Sequence, residues 1–145
     1  MLFRAPILLY RLRLGFLLGT RFIMLEHIGR KSGRKRRTVL EVVVNDPDAV
    51  YVAAAWGSKS QWYNNIKADP SVVFYLGSKR YESSAEDVLV SRARQLMDRY
   101  AVAHPVALDK LAGFMLDDPA DSTDEQARQV AENVPFVRLP KGGGQ

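Results

Sequence analysis

The densest chemistry in the chain lies in one run, Gly29-Arg30-Lys31-Ser32-Gly33-Arg34-Lys35-Arg36-Arg37, with six positive charges between positions 30 and 37. A glycine at each end of the Arg-Lys-Ser core allows positive φ and a close backbone approach to a ligand. Successive amides in such a turn form an anion-binding concavity, and the flanking cations attract an anion from a distance. Ser32 adds a hydroxyl donor, and an arginine can grip a phosphate through two parallel hydrogen bonds. A phosphate or polycarboxylate suits this chemistry. Neither Gly-x-x-x-x-Gly-Lys-[Ser/Thr] nor Gly-x-Gly-x-x-Gly occurs anywhere in the chain. Charge alone leaves three readings open: a solvated basic loop, a nucleic-acid surface, or a site for a small phosphorylated ligand.

The elements that must position this run are short. Apolar residues at helical spacing, interrupted by Arg11 and Arg13, predict an amphipathic helix from about Pro6 to Leu18, ended by Gly19-Thr20. Its arginines break any run near the ~20 apolar residues of a membrane span. A basic, leucine-rich helix of this kind either packs on its own domain or rests on an anionic membrane surface. Strands follow at Arg21–Ile28, Thr38–Val44 and Tyr51–Ala55, the last two joined in a hairpin by Asn45-Asp46-Pro47-Asp48. Ser60–Ala68 reads as a short helix with Ser60 as its N-cap, closed by Asp69-Pro70. A second hairpin joins Ser71–Leu76 to Arg80–Val88 around Gly77-Ser78. Helices are expected at Val90–Ala103, Val106–Leu116 and Asp124–Glu132, and a last strand at Val134–Leu139. The expected fold class is α+β, built around a small antiparallel barrel or sheet. Residues 1–20 form the N-terminal helix, 21–140 the domain and 141–145 a tail without packing power.

Composition narrows the functional classes. A chain of 145 residues with 47% hydrophobic and 26% charged residues suits one globular domain. It has no cysteine, which removes disulfides, thiolate zinc sites and thiol nucleophiles, and only two histidines, which argues against a histidine metal site. No metal is expected. Residues 1–37 hold ten Lys/Arg against the single acid Glu26, a net +9, and the remainder carries −4, for a total of +5. Basicity confined to one place points to one anionic partner there. His27 reads as a satisfied sheet residue, and His104 as a helix-end histidine favoured by the dipole.

Spacing carries the reading further. Gly29-Arg-Lys-Ser-Gly33, Arg36, Leu40, Val52-Ala-Ala, Gly57, Trp62-Tyr63, Asn65, Lys67-Ala68 and Pro70 together resemble the deazaflavin-dependent nitroreductase and quinone reductase family, whose members are split β-barrel oxidoreductases. The resemblance is good over residues 22–76 and elsewhere covers only the order of elements. It implies coenzyme F420, a deazaflavin with a phospholactyl-oligoglutamate tail, in preference to FMN. It also implies that Arg30, Lys31, Ser32 and Arg36 meet the tail anions, with Gly33 letting the backbone close in. Ala54, Ala55, Trp56, Gly57 and Asn65 would flank the ring. Trp62 and Tyr63 line the acceptor pocket or pack in the core, and Tyr100 either donates a proton to the reduced acceptor, by analogy with tyrosines on the family's late helix, or packs in the core or at the surface.

Two positions depart from the family pattern. Val39 stands in place of a frequent proline. Ala55 replaces a hydroxyl residue of the better-known nitroreductase, which turns the expected acceptor from nitro compounds toward quinones and conjugated enones. The resemblance therefore implies an enzyme that passes a hydride from the reduced deazaflavin to a small apolar acceptor. A cytoplasmic homodimer that binds no nucleic acid is expected, with its N-terminal helix either covering the active-site mouth or holding the protein at the inner face of the plasma membrane. The rival reading is a non-catalytic carrier of flavin, haem or a fatty acyl chain on the same barrel.

Overall fold

The computed structural model describes residues 22–55 and 57–142, so the expected N-terminal helix and Trp56 lie outside the described residues. Two four-stranded antiparallel sheets form the centre. The first has strand order β2-β1-β5-β6, from β1 (Phe22–Ile28), β2 (Lys35–Glu41), β5 (Ser71–Leu76) and β6 (Lys79–Ser84). The second has order β3-β4-β8-β7, from β3 (Val44–Asn45), β4 (Ala49–Ala53), β8 (Phe136–Pro140) and β7 (Glu86–Asp87). Helix α1 (Gln61–Ala68) follows a 3₁₀ turn at Gly57–Lys59. Helices α2 (Val90–Ala103), α3 (Pro105–Met115) and α4 (Thr123–Asn133) make a separate layer.

Side-chain alternation explains how the layers stack. Ile23 and Leu25 of β1, Val72, Phe74 and Leu76 of β5, Val50 and Val52 of β4, and Val137 and Leu139 of β8 meet in one buried cluster, joined by Trp62 and Ile66 of α1. The alternate residues Ala49 and Tyr51 of β4 turn the other way, against Leu96 of α2. A strand buried on both faces loses the apolar–polar alternation, and Ala-Val-Tyr-Val-Ala is such a run. In α2, Ala93, Leu96, Met97 and Tyr100 recur at helical spacing and form its buried stripe. Ser122 caps α4 by accepting a hydrogen bond from the Glu125 amide at 3.2 Å.

Several expected boundaries move, each for a pairing reason. The strand expected at Thr38–Val44 begins at Lys35, because β2 pairs with β1 over seven rungs from Phe22↔Glu41 to Ile28↔Lys35. The hairpin at Asn45–Asp48 belongs to β3 and β4, where Val44 faces Tyr51, so the expected single strand is split between the two sheets. Arg80–Val88 divides in the same way. At the break the Ala85 amide donates to the Pro70 carbonyl, and β7 crosses to β8 with Glu86 opposite Arg138. The last strand starts two residues late, at Phe136, because the Val134 amide closes α4 on the Val130 carbonyl and Pro135 has no N–H for a ladder. Pro105 takes the first turn of α3, where its missing N–H costs nothing. Ser60 occupies the N-cap position of α1 but makes no capping bond, and its hydroxyl is buried. Lys141 is not part of a loose tail: its amide donates to the Asp48 carbonyl at 2.8 Å and its ammonium to Asn45 Oδ1 at 2.7 Å. No helix among the described residues is long and apolar enough to cross a membrane.

Phe74 is fully buried and stacks on Tyr81 with ring centroids 4.9 Å apart. Phe74→Ala should therefore destabilise the protein by about 3–5 kcal/mol. Chemical unfolding checks this, and a loss below about 1 kcal/mol would contradict a close-packed centre.

Candidate functional site

The basic run is not one loop. Only Gly29–Arg34 forms the turn, while Lys35, Arg36 and Arg37 enter β2. Strand alternation then sorts the charges. Lys35 and Arg37 share a sheet face with Glu26, which is buried and pairs with them at 3.8 and 3.0 Å. Arg36 stands opposite His27 in the register, on the other face. Lys31, Arg34 and Arg36 have no carboxylate at ion-pair distance among the described residues.

The turn is closed by its own backbone. The Gly29 amide donates to the Arg34 carbonyl, and the Gly33 amide to the Gly29 carbonyl, both at 2.8 Å. The Arg34 amide donates to Ser32 Oγ at 3.1 Å. The two glycines serve different ends. Gly33 has φ +71°, a conformation that strains any side chain. At Gly29 a Cβ would come within 2.7 Å of Ser32 Oγ, so the absence of a side chain lets the turn fold tightly.

Beside this turn lies a cleft of about 600 Å³, lined by His27, Gly29, Arg30, Lys31, Ser32, Arg36, Arg37, Thr38, Gln61, Trp62 and Asn65. Four of these are cations and none is an acid. Helix α1 supplies the opposite wall, since Trp62, Asn65 and Ile66 form its buried stripe. Asn65 is the polar member of that stripe and is 4% exposed. Its Oδ1 accepts from the Arg30 amide at 3.1 Å and from the Arg30 guanidinium at 2.7 Å, and its Nδ2 lies 3.0 Å from His27 Nδ1. A buried carboxamide needs such partners, and it here ties helix, turn and strand together.

The structure thus brings Arg30, Lys31, Ser32, Arg36, Trp62 and Asn65 to one cleft, with Gly33 in the turn that borders it. The remaining expected site residues lie elsewhere. Ala54 is fully buried in the central cluster, and Ala55 and Gly57 lead from β4 into the turn before α1. Tyr63 packs edge-on to Trp62, with centroids 6.0 Å apart, and under the Lys67 ammonium. Tyr100 is 2% exposed in the helical layer, and its hydroxyl donates to Glu41 Oε2 at 2.8 Å. Three cleft residues escaped the sequence reading, His27, Thr38 and Gln61, while Arg37 was read only as part of the basic run. Thr38 was open to inference as the strand neighbour two past Arg36, and Gln61 as the helical neighbour four before Asn65.

Burial, chiefly, and the Arg36 charge lower the His27 pKa from its ordinary 6.5 to about 4. The unfolded chain therefore takes up this proton first as pH falls. Stability from burying the neutral ring is complete above pH 6.5 and is lost down to about pH 4. The melting temperature should fall through this window, and His27→Asn should flatten its upper part, above the range where carboxylates titrate. Identical pH profiles for the two proteins would contradict the assignment.

Comparison with known proteins gives one family match: residues 11–110 fit the model described as F420H(2)-dependent quinone reductase. No curated protein matches the chain. Among solved structures it resembles an F420-H2 dependent reductase, at 20% identity and TM-score 0.58, over 82% of this chain and 93% of that one. A haem storage protein from Vibrio cholerae aligns at 13% identity and TM-score 0.58, covering 89% and 87%. A putative pyridoxamine 5'-phosphate oxidase from Listeria innocua aligns at 10% identity and TM-score 0.55, covering 92% and 94%. At these identities the structural likenesses establish the fold.

Proposed function

Since the chain belongs to the F420H(2)-dependent quinone reductase family, we propose that its basic cleft seats the anionic tail of coenzyme F420 and that the acceptor it reduces is a quinone. The protein is an enzyme, a reductase whose cofactor is coenzyme F420. The two antiparallel sheets are read as the halves of the family's split β-barrel. The observation that carries the proposal is the cleft wall itself, where Arg30, Lys31, Arg36 and Arg37 gather with no acid among the lining residues.

The residues fit the tail. A phosphate and several carboxylates need multiple cationic donors at close quarters, and cations clustered without carboxylates repel one another until an anion arrives. The glycine at position 29 lets the turn close on Ser32, where a Cβ would clash with the hydroxyl. Arg30, already oriented by Asn65, Ser32 and Arg36 would hold phosphate and glutamates, and Lys31 would add a mobile point charge. Ala54, Ala55 and Gly57, which lie between β4 and α1, are with Trp56 the proposed flank of the ring, and Trp62 is the proposed apolar wall beside it. When bound in its reduced form, the coenzyme supplies a hydride to the acceptor. The protein's part is to hold ring and acceptor in contact and keep water away. Tyr100 is left out of this proposal, because it is buried in the helical layer and its hydroxyl donates to Glu41 at the end of β2. An Ala at position 55 offers no hydroxyl to the acceptor, which favours quinones over acceptors that need more polarisation.

Two outcomes are expected. Mixing the protein with reduced coenzyme F420 and menadione should consume the coenzyme optically, whereas binding without turnover across several quinones would favour a carrier. Replacing Lys31 and Arg36 together by alanine should weaken coenzyme F420 at least about tenfold more than FMN, which offers one phosphate against several anions. Equal losses for the two cofactors, read by isothermal titration, would show that the cleft does not read the tail.

A further inference from the structure

The hydrogen bonds of Asn65 leave its amide only one way round. A carboxamide has an oxygen that only accepts and a nitrogen that only donates. Arg30 presents two donors, its backbone N–H at 3.1 Å and a guanidinium N–H at 2.7 Å, and both must meet the oxygen. The nitrogen is thereby turned toward His27 Nδ1, at 3.0 Å. An amide N–H donates, so Nδ1 must accept, and the neutral ring carries its hydrogen on Nε2. A proton on Nδ1 would set two donors against each other. The amide would then turn over, and its nitrogen would oppose both donors of Arg30.

We propose that His27 is a positioning residue for coenzyme binding: by accepting from Asn65 it fixes the amide orientation through which Arg30 is held at the cleft wall. Geometry supports each link. His27 is 4% exposed, lines the cleft and stands opposite Arg36 across the β1–β2 ladder. The charged groups lining the cleft with it are Arg36 and Arg37 from β2, the latter paired with Glu26 of β1, and Arg30 and Lys31 from the turn, while α1 contributes the neutral Gln61 and Asn65. Burial, chiefly, and the Arg36 charge disfavour a second proton on the ring, so Nδ1 stays an acceptor at neutral pH. Holding Arg30 through one guanidinium N–H and the main chain leaves its other guanidinium hydrogens for an anion, with little rotamer freedom left to lose.

This inference rests on the cleft being the tail site, and the test separates the two. Coenzyme F420 affinity is measured by titration for the wild type, His27→Leu, His27→Asn and the Lys31/Arg36 double-alanine variant. His27→Leu removes the acceptor at similar size and should weaken binding about tenfold. His27→Asn places a carbonyl oxygen near the Nδ1 position and should recover most of that loss. A loss in the double variant with none in His27→Leu, or a loss that His27→Asn does not relieve, overturns this proposal alone. Unchanged affinity in the double variant overturns the cleft reading and this proposal with it. A measurement on the wild type needs no substitution: ¹⁵N spectra at pH 7.5, assigned with His104→Gln, should show His27 as the neutral Nε2–H tautomer. An Nδ1–H or charged ring would overturn the proposal.

Discussion

Four cations share one cleft without a carboxylate among its lining residues, and their mutual repulsion is the constraint around which this part of the molecule is organised. The strand period relieves part of it. Lys35 and Arg37 fall on the face where buried Glu26 can pair with them, while Arg36 falls on the other. The turn relieves none, because its backbone bonds hold Arg30, Lys31 and Ser32 beside the cleft. Folding therefore brings Lys31 and Arg36 together with Arg30 at a cleft whose lining holds no carboxylate. On the proposed reading, a tail bound there would stabilise the native state, since the unfolded chain has no such cluster to offer it.

Helix α1 gives this charged edge its footing. Trp62 and Ile66 anchor the helix in the central cluster, and Asn65 between them reaches the turn and β1 at once. An apolar residue at position 65 would pack as well in the stripe and yet leave two Arg30 donors and the His27 ring unmatched. The cost of that mismatch, rather than the helix's own stability, explains a carboxamide at this point.

Much of this was legible in the sequence, and the rest was hidden for identifiable reasons. β5 lies where its alternation placed it, at Ser71–Leu76, and α2 spans the expected Val90–Ala103 because Leu96, Met97 and Tyr100 mark its buried face. Gly33 announced its positive φ. The division of Thr38–Val44 and Arg80–Val88 between two sheets was not legible, since a strand's propensity does not say which partner it pairs with. Asn65 was expected beside a ring, from the family resemblance, and its hold on Arg30 depends on a contact between residues 35 apart in sequence. Tyr100 keeps helical spacing with its neighbours, but spacing cannot tell a helix that borders the cleft from one that covers the opposite face of β4.

The fold alone does not choose the chemistry, since a haem storage protein and a putative pyridoxamine 5'-phosphate oxidase share it. In the proposed reading the charge at the cleft chooses, and one measurement addresses it directly. Dissociation constants are compared for intact coenzyme F420 and for the same deazaflavin ring and ribityl chain without the phospholactyl-glutamate tail, at low and at high salt. The intact coenzyme should bind at least about tenfold tighter, with the gap narrowing as salt rises. Equal affinities insensitive to salt would contradict a cleft built to hold the tail.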